Sequence, residues 1–379
     1  MMSIYFDNAA TTRLDDEVID AMLPYMREHF GNPSSIHAYG RITRAAIEKS
    51  RKTIAQLLNA APSEIFFTSG GTEANNMALT RTVSDLGIRD VISSPTEHHA
   101  VLHTLEAMEK DGKIHLHLVK LDSAGHVDLN HLESLLQSVP RALVSLMHAN
   151  NETGTRIPLR QIASLVKQYN GMMHSDTVQT MGHFTLDTQE IPVDFLSCAA
   201  HKFHGPKGVG FIYIRSGIGI QPFIYGGAQE RNMRGGTENL YGIIGLAKAL
   251  EVAYRDLEAH EAHIRGLKNY MIERLKAEIP GVAFNGDVSE DSLYTVLNVS
   301  FPPSDMGDML LFNLDIEGIA ASGGSACSSG SNVGSHVLAA LGTDPSRSNV
   351  RFSFSKYNTR DEVEFTVGKL REIFQTVNA

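Results

Sequence analysis

The sequence predicts an α/β protein: a large domain on a mostly parallel, doubly wound sheet, followed by a small C-terminal α+β domain. Short β-rich runs recur through the first part of the chain, and helical patterns lie between several of them. That alternation predicts a parallel sheet covered on both faces. A change of character after residue 235 predicts the second domain.

The β-rich runs are IFFT (65–68), DVISS (90–94), IHLHLV (114–119), ALVSLM (142–147), MMHS (172–175), DFLSC (194–198) and VGFIYI (209–214). Helical patterns include residues 15–30, 72–86 and 159–170. Beyond residue 235 one long helix is expected to about residue 278, because Ile264, Leu267, Met271 and Leu275 recur at helical spacing. YTVLNVSF (294–301) and NVRFSF (349–354) then read as strands of the smaller unit, closed by a helix over 360–377. These patterns assign residues 15–255 to the large domain, and residues 1–14 with 256–379 to the small one.

The 379 residues suffice for such a pair of domains. A hydrophobic fraction of 42% and a net charge of −10 describe a soluble globular protein and argue against a nucleic-acid groove. Two cysteines do not make a disulfide scaffold, so a reducing cytoplasm is expected. No run of about 18 apolar residues predicts a membrane span, and MMSIYFDNAATTRL lacks the pattern of a signal peptide.

Ligands of such sheets bind beyond the carboxyl ends of the strands, and the polar clusters fall there. IFFT runs into SGGTEANN, where Gly70, Gly71 and Thr72 open a helix whose free N–H groups and dipole attract an anion. A plain glycine turn with a capping threonine would look the same. The next strand leads to His98 and His99. MMHS leads to Asp176, followed by Gln179, and DFLSC leads to His201 and Lys202 in AAHKFHGPKG. The short-spaced ligand motifs of a metal site are missing, so no metal is expected. An anion site, a histidine, an aspartate and a lysine on successive strand ends suit pyridoxal phosphate. The lysine would form its Schiff base and the aspartate would hold the pyridinium N–H.

SGGTEANN, TEHHAVL, ANNETGT, HSDTVQ, AHKFHGPKG, GGAQERNMRGGTEN, SGGSACSSGS and NVRFSFS occur in the order found in the group I (NifS/IscS-like) cysteine desulfurases. The chain resembles that family, fold-type I pyridoxal-phosphate enzymes related to class-V aminotransferases, from FDNAATT to RFSFS. The resemblance implies that Lys202 carries the cofactor and later moves protons, and that Asp176 pairs with the pyridine nitrogen. Gln179 is implied at the ring's O3′, with Asn151 near O3′ and the substrate, and His98 is implied to stack on the ring and help move protons. Gly71, Thr72 and His201 fall to the phosphate. Thr237 is implied to reach the phosphate of the neighbouring subunit, which requires a homodimer. Arg351 is implied to take the substrate carboxylate, a bidentate task suited to a planar guanidinium.

Cys327 lies among small residues in SGGSACSSGS, whereas Cys198 ends an apolar strand and reads as core. A Gly/Ser arm over about 322–334 would let one sulfur visit both the cofactor and the surface. No Lys or Arg lies between Lys276 and Arg347, which leaves His336 as the only nearby candidate cation for a thiolate. Deprotonation is therefore expected at the active site, through a group such as His98. Two departures from the family stand out. Ala199 replaces a serine that commonly binds the phosphate, and SGSNVGSH replaces SxxLEPSH after the cysteine.

The expectation is a cytoplasmic homodimer that converts L-cysteine to L-alanine and holds the sulfur as a Cys327 persulfide. The sulfur would pass to an acceptor protein such as an iron–sulfur scaffold, or to thiolation, with no direct nucleic-acid or membrane partner. Selenocysteine lyase or a related C–S lyase is the enzymatic alternative, and an inactive cofactor-binding interaction subunit is the other.

Overall fold

A computed structural model describes residues 3–304, 307–323 and 334–375. The chain opens with β1 (Ile4–Tyr5), α1 (Asp16–Arg27) and α2 (Ala38–Leu57). The seven apolar runs then supply β2 (Ile65–Thr68), β3 (Asp90–Ser93), β4 (His115–Leu118), β5 (Ala142–Ser145), β6 (Met172–Asp176), β7 (Phe195–Ala199) and β8 (Gly210–Ile214). Between them lie α3 (Gly71–Leu86), α4 (His99–Lys110), α5 (Leu129–Ser138) and α6 (Leu159–Gln168). Together the strands form one sheet in the order β2-β8-β7-β6-β5-β3-β4.

The four pairs from β4 to β7 are parallel, and β8 runs antiparallel to both β7 and β2. The connection over residues 200–209 is too short for the crossover of about a dozen residues that a parallel neighbour needs, so β8 returns in the opposite direction. Every residue of β2, β5, β6, β7 and β8 is buried, as a sheet covered on both faces requires.

The long helix expected after residue 235 is instead two, α7 (Leu240–Arg255) and α8 (Leu257–Glu278), meeting at Asp256 with φ −108° and ψ 18°. The break has a packing reason. Ile243, Leu246 and Leu250 of α7 join the core beneath the large sheet, whereas Ile264, Leu267, Met271 and Leu275 of α8 join a second core. One straight helix would not serve both.

That second core is built on β9 (Ala283–Asn285), β10 (Val296–Phe301) and β12 (Ser348–Ser353), an antiparallel sheet in the order β12-β10-β9. α9 (Leu310–Ile316), β11 (Ile319–Ala320) and α11 (Arg360–Gln375) complete it, and α10 (His336–Ala340) lies between β11 and β12 in the chain. β1 pairs in parallel with β11, and Ile4 and Phe6 enter this second core. The chain's first residues thus lead from the second core into the active site. Among the described residues no helix is long and apolar enough to cross a membrane.

Candidate active site

A cavity of about 250 Å³ lies at the carboxyl ends of β2, β6 and β7. Nine of the residues singled out by sequence line it: Gly71, Thr72, His98, Asn151, Asp176, Gln179, His201, Lys202 and Arg351. Ala9, Ala10, Asn75, Met147, Val178 and Ala199 complete the wall. A wider open cleft of about 940 Å³, between residues 156–164, 184–191 and 287–291, contains none of the nine. Size is therefore a poor guide here, and the convergence of titratable groups identifies the smaller cavity as the site.

The central sheet builds the first wall. Asp176 ends β6, where Asn75 Nδ2 donates to its Oδ2 at 2.6 Å and the Val178 N–H donates to its Oδ1 at 2.9 Å. Asn75 sits one helical turn after Thr72, and its own Oδ1 is buried with no partner among the described residues. Sequence reasoning passed over Asn75. Its i, i+3 spacing from Thr72 was the available signal. Gly71 starts α3 so close to Val178 that a Cβ there would lie 2.5 Å from Val178 Cγ2. The preceding Gly70 has φ +154°. The helix start therefore presents bare backbone N–H groups toward the cavity, the arrangement that binds anions.

Lys202 follows β7 in a short 3₁₀ turn, and its Nζ donates to Ala9 O at 2.5 Å and Ala10 O at 2.8 Å. Gln179 Nε2 donates to the same Ala9 carbonyl at 3.0 Å. The FDNAATT stretch thus supplies a carbonyl cradle, a role its sequence did not announce. His201 Nδ1 meets Thr11 Oγ1 at 3.2 Å. Burial, then the charges of Lys202 and Lys207, push the His201 imidazole down to about 4, so it is neutral at physiological pH. His98 caps α4, its Nδ1 accepting from the Ala100 N–H at 3.1 Å, which leaves Nε2 to carry the proton of the neutral ring. Burial holds this imidazole below its ordinary value, Asp176 opposes the shift, and Lys202 and His336 reinforce it. Beside it, burial pushes the Glu97 carboxyl well above the ordinary range, opposed by the Met147 N–H that donates to its Oε1 at 2.7 Å.

The small sheet builds the opposite wall. Arg351 lies on β12 with 1% of its surface exposed. Its Nη2 donates to Asp7 Oδ1 at 2.7 Å and its Nη1 to Asn151 O at 3.0 Å, while Nε is buried without a partner among the described residues. A surface strand position, the plain reading of an arginine there, does not describe it.

Two expected residues stand apart. Thr237 is exposed and does not line the cavity of its own chain, and Cys327 lies outside the described residues. Thr237 follows a turn in which Glu230, Arg231 and Asn232 all take positive φ (45°, 54° and 68°). Such backbone persists only when its surroundings hold it. Here Glu230 is buried and accepts from Arg51 Nη1 and Nη2 at 2.8 and 2.7 Å and from the Phe67 N–H at 2.8 Å. Cys198 is buried in β7, and burial raises its thiol well above the ordinary value, so it is unreactive core.

Comparison with known proteins places this geometry in context. The class-V aminotransferase family pattern matches residues 4–365. The chain is 43% identical over 376 residues to the cysteine desulfurase IscS of Dictyoglomus turgidum, covering 98% of this chain and 94% of that one. Among solved structures, a NifS-like protein superposes with a TM-score of 0.91 at 39% identity, over 99% of this chain and all of the other. The protein SspA, solved in complex with cysteine, superposes at 0.79 with 30% identity, over 94% of this chain and all of that one. The chain belongs to the class-V aminotransferase family, in its IscS/NifS-like cysteine desulfurase branch.

Proposed function

We propose that the chain uses pyridoxal phosphate to move the sulfur of L-cysteine onto Cys327, releasing L-alanine. The observation that carries this reading is the convergence of Lys202, Asp176 and Arg351 on one cavity walled by the start of α3. The residues present fit the cofactor. The bare α3 start with Thr72 and neutral His201 suits a phosphate, and Asp176, itself held by Asn75, suits a pyridinium N–H. Ala199 offers no hydroxyl, so the phosphate depends more on the helix start. When bound, pyridoxal phosphate supplies an electron sink that acidifies the substrate Cα–H.

Around that sink the chain's own residues act as follows. Arg351, oriented by Asp7 and Asn151, grips the substrate carboxylate and so fixes which bond at Cα faces Lys202. Lys202, released from the Ala9 and Ala10 carbonyls, takes and returns the Cα proton. Gln179 would hold the ring's O3′, Asn151 serves O3′ and the substrate, and His98 Nε2 holds a proton that can pass to or from the reacting sulfur. The Cys327 sulfur attacks the substrate sulfur: the Cβ–S bond breaks, an S–S bond forms, Cβ gains a hydrogen, and Cys327 is left as a persulfide. A thiol-bearing acceptor protein, in iron–sulfur assembly or thiolation, then removes that sulfur. Recovering the thiol at each turnover suits a reducing compartment, the cytoplasm. SspA, a relative of the same fold solved with cysteine, supports the choice of substrate.

The homodimer is part of the same proposal. Phe30 (73% exposed), Ile36 (91%), Tyr39, Ile42, Tyr225 and Tyr241 leave large apolar side chains in water, and the Arg44–Glu238 and Gln229–Ser34 hydrogen bonds (2.9 and 3.4 Å) join the segment carrying the first four to the Thr237 turn. Such a patch marks an interface, and a second copy seated there would bring its Thr237 toward this cavity. The division into residues 15–255 and 1–14 with 256–379 is likewise proposed, supported by the two separate cores.

The test is to load the purified protein with pyridoxal phosphate, add L-cysteine without reductant, and measure alanine and the mass of the Cys327 peptide. One extra sulfur on that peptide and none on the Cys198 peptide is expected. Cys327→Ser should keep the cofactor and its spectral response to cysteine, yet release no alanine at a useful rate. Full alanine release by Cys327→Ser would overturn the reading and favour a lyase that needs no acceptor thiol.

A further inference from the structure

We propose that Glu152 and Ser335 form a positioning pair, in which a buried carboxylate anchors the first turn of α10 and so sets how the Cys327-bearing segment returns to the active site. The inference rests on the persulfide reading above. Glu152 directly follows Asn151 and is fully buried, yet none of the described cations pairs with it. Its Oε2 accepts from Ser335 Oγ at 2.5 Å, and its Oε1 is buried with no partner among the described residues. A buried carboxyl group with a single hydroxyl partner is expensive to keep, so that partner matters.

The rest of Glu152 is fixed. Its N–H donates to Asn150 Oδ1 at 2.8 Å, and its carbonyl accepts from Asn298 Nδ2 at 3.1 Å. Asn150 Nδ2 donates in turn to Thr96 O at 2.9 Å, tying this turn to the one that carries His98. Against this rigid support lies a helix of only five residues, too short to hold its own place. Ser335 is its N-cap, with Oγ accepting from the Leu338 N–H at 3.1 Å while donating to Glu152. The next residue, His336, donates from Nε2 to Glu97 O at 2.9 Å and packs on His99 with ring centroids 4.5 Å apart. The N-cap and the first residue of α10 therefore dock on the neighbours of Asn151 and His98.

The other end is tied as well, since Ser322 and Arg351 exchange backbone hydrogen bonds of 3.2 and 2.6 Å. In the sequence Cys327 stands five residues after Ser322 and eight before Ser335, so the two anchors bracket it. Releasing the second anchor leaves one tether, and the effective concentration of the thiol at the site falls.

Ser335→Asp separates this role from simple capping. Aspartate is as good an N-cap as serine, but it sets a second carboxyl group against the buried first one. In the cofactor-loaded enzyme, Ser335→Asp should lower kcat for alanine release at least about tenfold, with KM for cysteine and the cysteine-induced spectral change preserved. Alkylation of Cys327 by iodoacetamide should become severalfold faster, with buried Cys198 unreactive in every variant. Ser335→Thr should behave as wild type, and Glu152→Gln introduced into Ser335→Asp should recover most of the loss. Ser335→Gly, which lacks the hydroxyl but is tolerated at an N-cap, should show the same split if the aspartate variant does not fold. Wild-type kcat and alkylation in Ser335→Asp, or no recovery on adding Glu152→Gln, would overturn the proposal. A wild type that forms no persulfide would instead defeat the functional reading, and the alkylation comparison would still judge the anchor.

Discussion

On the cofactor wall, Asp176 is held by the end of its own strand, by the Val178 N–H two residues on, and by Asn75 on a helix packed against the same sheet. On the substrate wall, Arg351 is held by Asp7 and by Asn151, 344 and 200 positions away in the chain. The first wall follows from one sheet forming, because strand ends and the following turns deliver their side chains to one edge. The second exists only once the two cores, and the N-terminal stretch running between them, have come together. Under the proposed roles, the difference makes cofactor binding and substrate binding separable, so that each can be broken alone.

The largest effect should come from Lys202. Lys202→Ala should abolish turnover and the yellow absorbance band of the loaded enzyme, since no other lysine among the described residues lines the cavity. A retained band would show that the cofactor is held covalently elsewhere. Arg351→Lys should come next. It keeps the charge but loses the two-pronged fork, so kcat/KM for cysteine should fall about a hundredfold, the loss expected when an oriented carboxylate is misplaced. Cofactor content should not change, and an equal fall in cofactor content would refute the separation of the two walls.

Asn75→Ala attacks the first wall through a residue with no expected contact to the substrate carboxylate. It leaves the buried Asp176 Oδ2 without its donor, costing about 1.5–3 kcal/mol, or roughly 10–150-fold in pyridoxal-phosphate affinity by equilibrium dialysis. KM for cysteine at saturating cofactor should stay within about twofold, the scatter of a change that removes no substrate contact.

The smallest effect is on stability. Burial lowers His148 to about 3 and His174 and His183 to about 4, with Arg156 adding to the shift at His148. Unfolded, these imidazoles return to an ordinary value near 6.5. Between pH 6.5 and about 4 the unfolded chain therefore binds more protons, and stability is lost as the pH falls through that window. Each histidine contributes a slope of up to about 1.4 kcal/mol per pH unit. His174 lies on β6 and His148 just beyond β5, whereas His183 bonds Tyr294 of the second core at 3.0 Å. Thermal melting at pH 7 and pH 5 should show a lower Tm at pH 5. An unchanged Tm would mean that these rings are already charged in the folded protein.

Much of this protein was legible in its sequence. The seven strands fell within one or two residues of their patterns, because a sheet buried on both faces writes continuous apolar runs. Seven of the nine cavity-lining residues were legible as polar turns after apolar strands, whereas Asn151 and Arg351 were carried by the family resemblance alone. The long helix was misread because Asp256 breaks it without glycine or proline, and only the positions of two cores explain the turn. Asn75 was missed because an asparagine inside a helix looks the same in sequence whether it faces water or a buried aspartate.

Residue identity and order therefore settled which chemical groups this chain owns: a lysine, an aspartate and a helix start at the ends of successive strands. Which group faces which was left to the tertiary structure. The Ala9 and Ala10 carbonyls cradling Lys202, Asp7 against Arg351, and Glu152 against Ser335 all join residues more than 180 positions apart. Local periodicity reports whether a side chain is buried, since burial repeats with the strand or helix. It carries no record of the partner, because a hydrogen bond across that separation is fixed by how the two cores dock and not by any spacing along the chain.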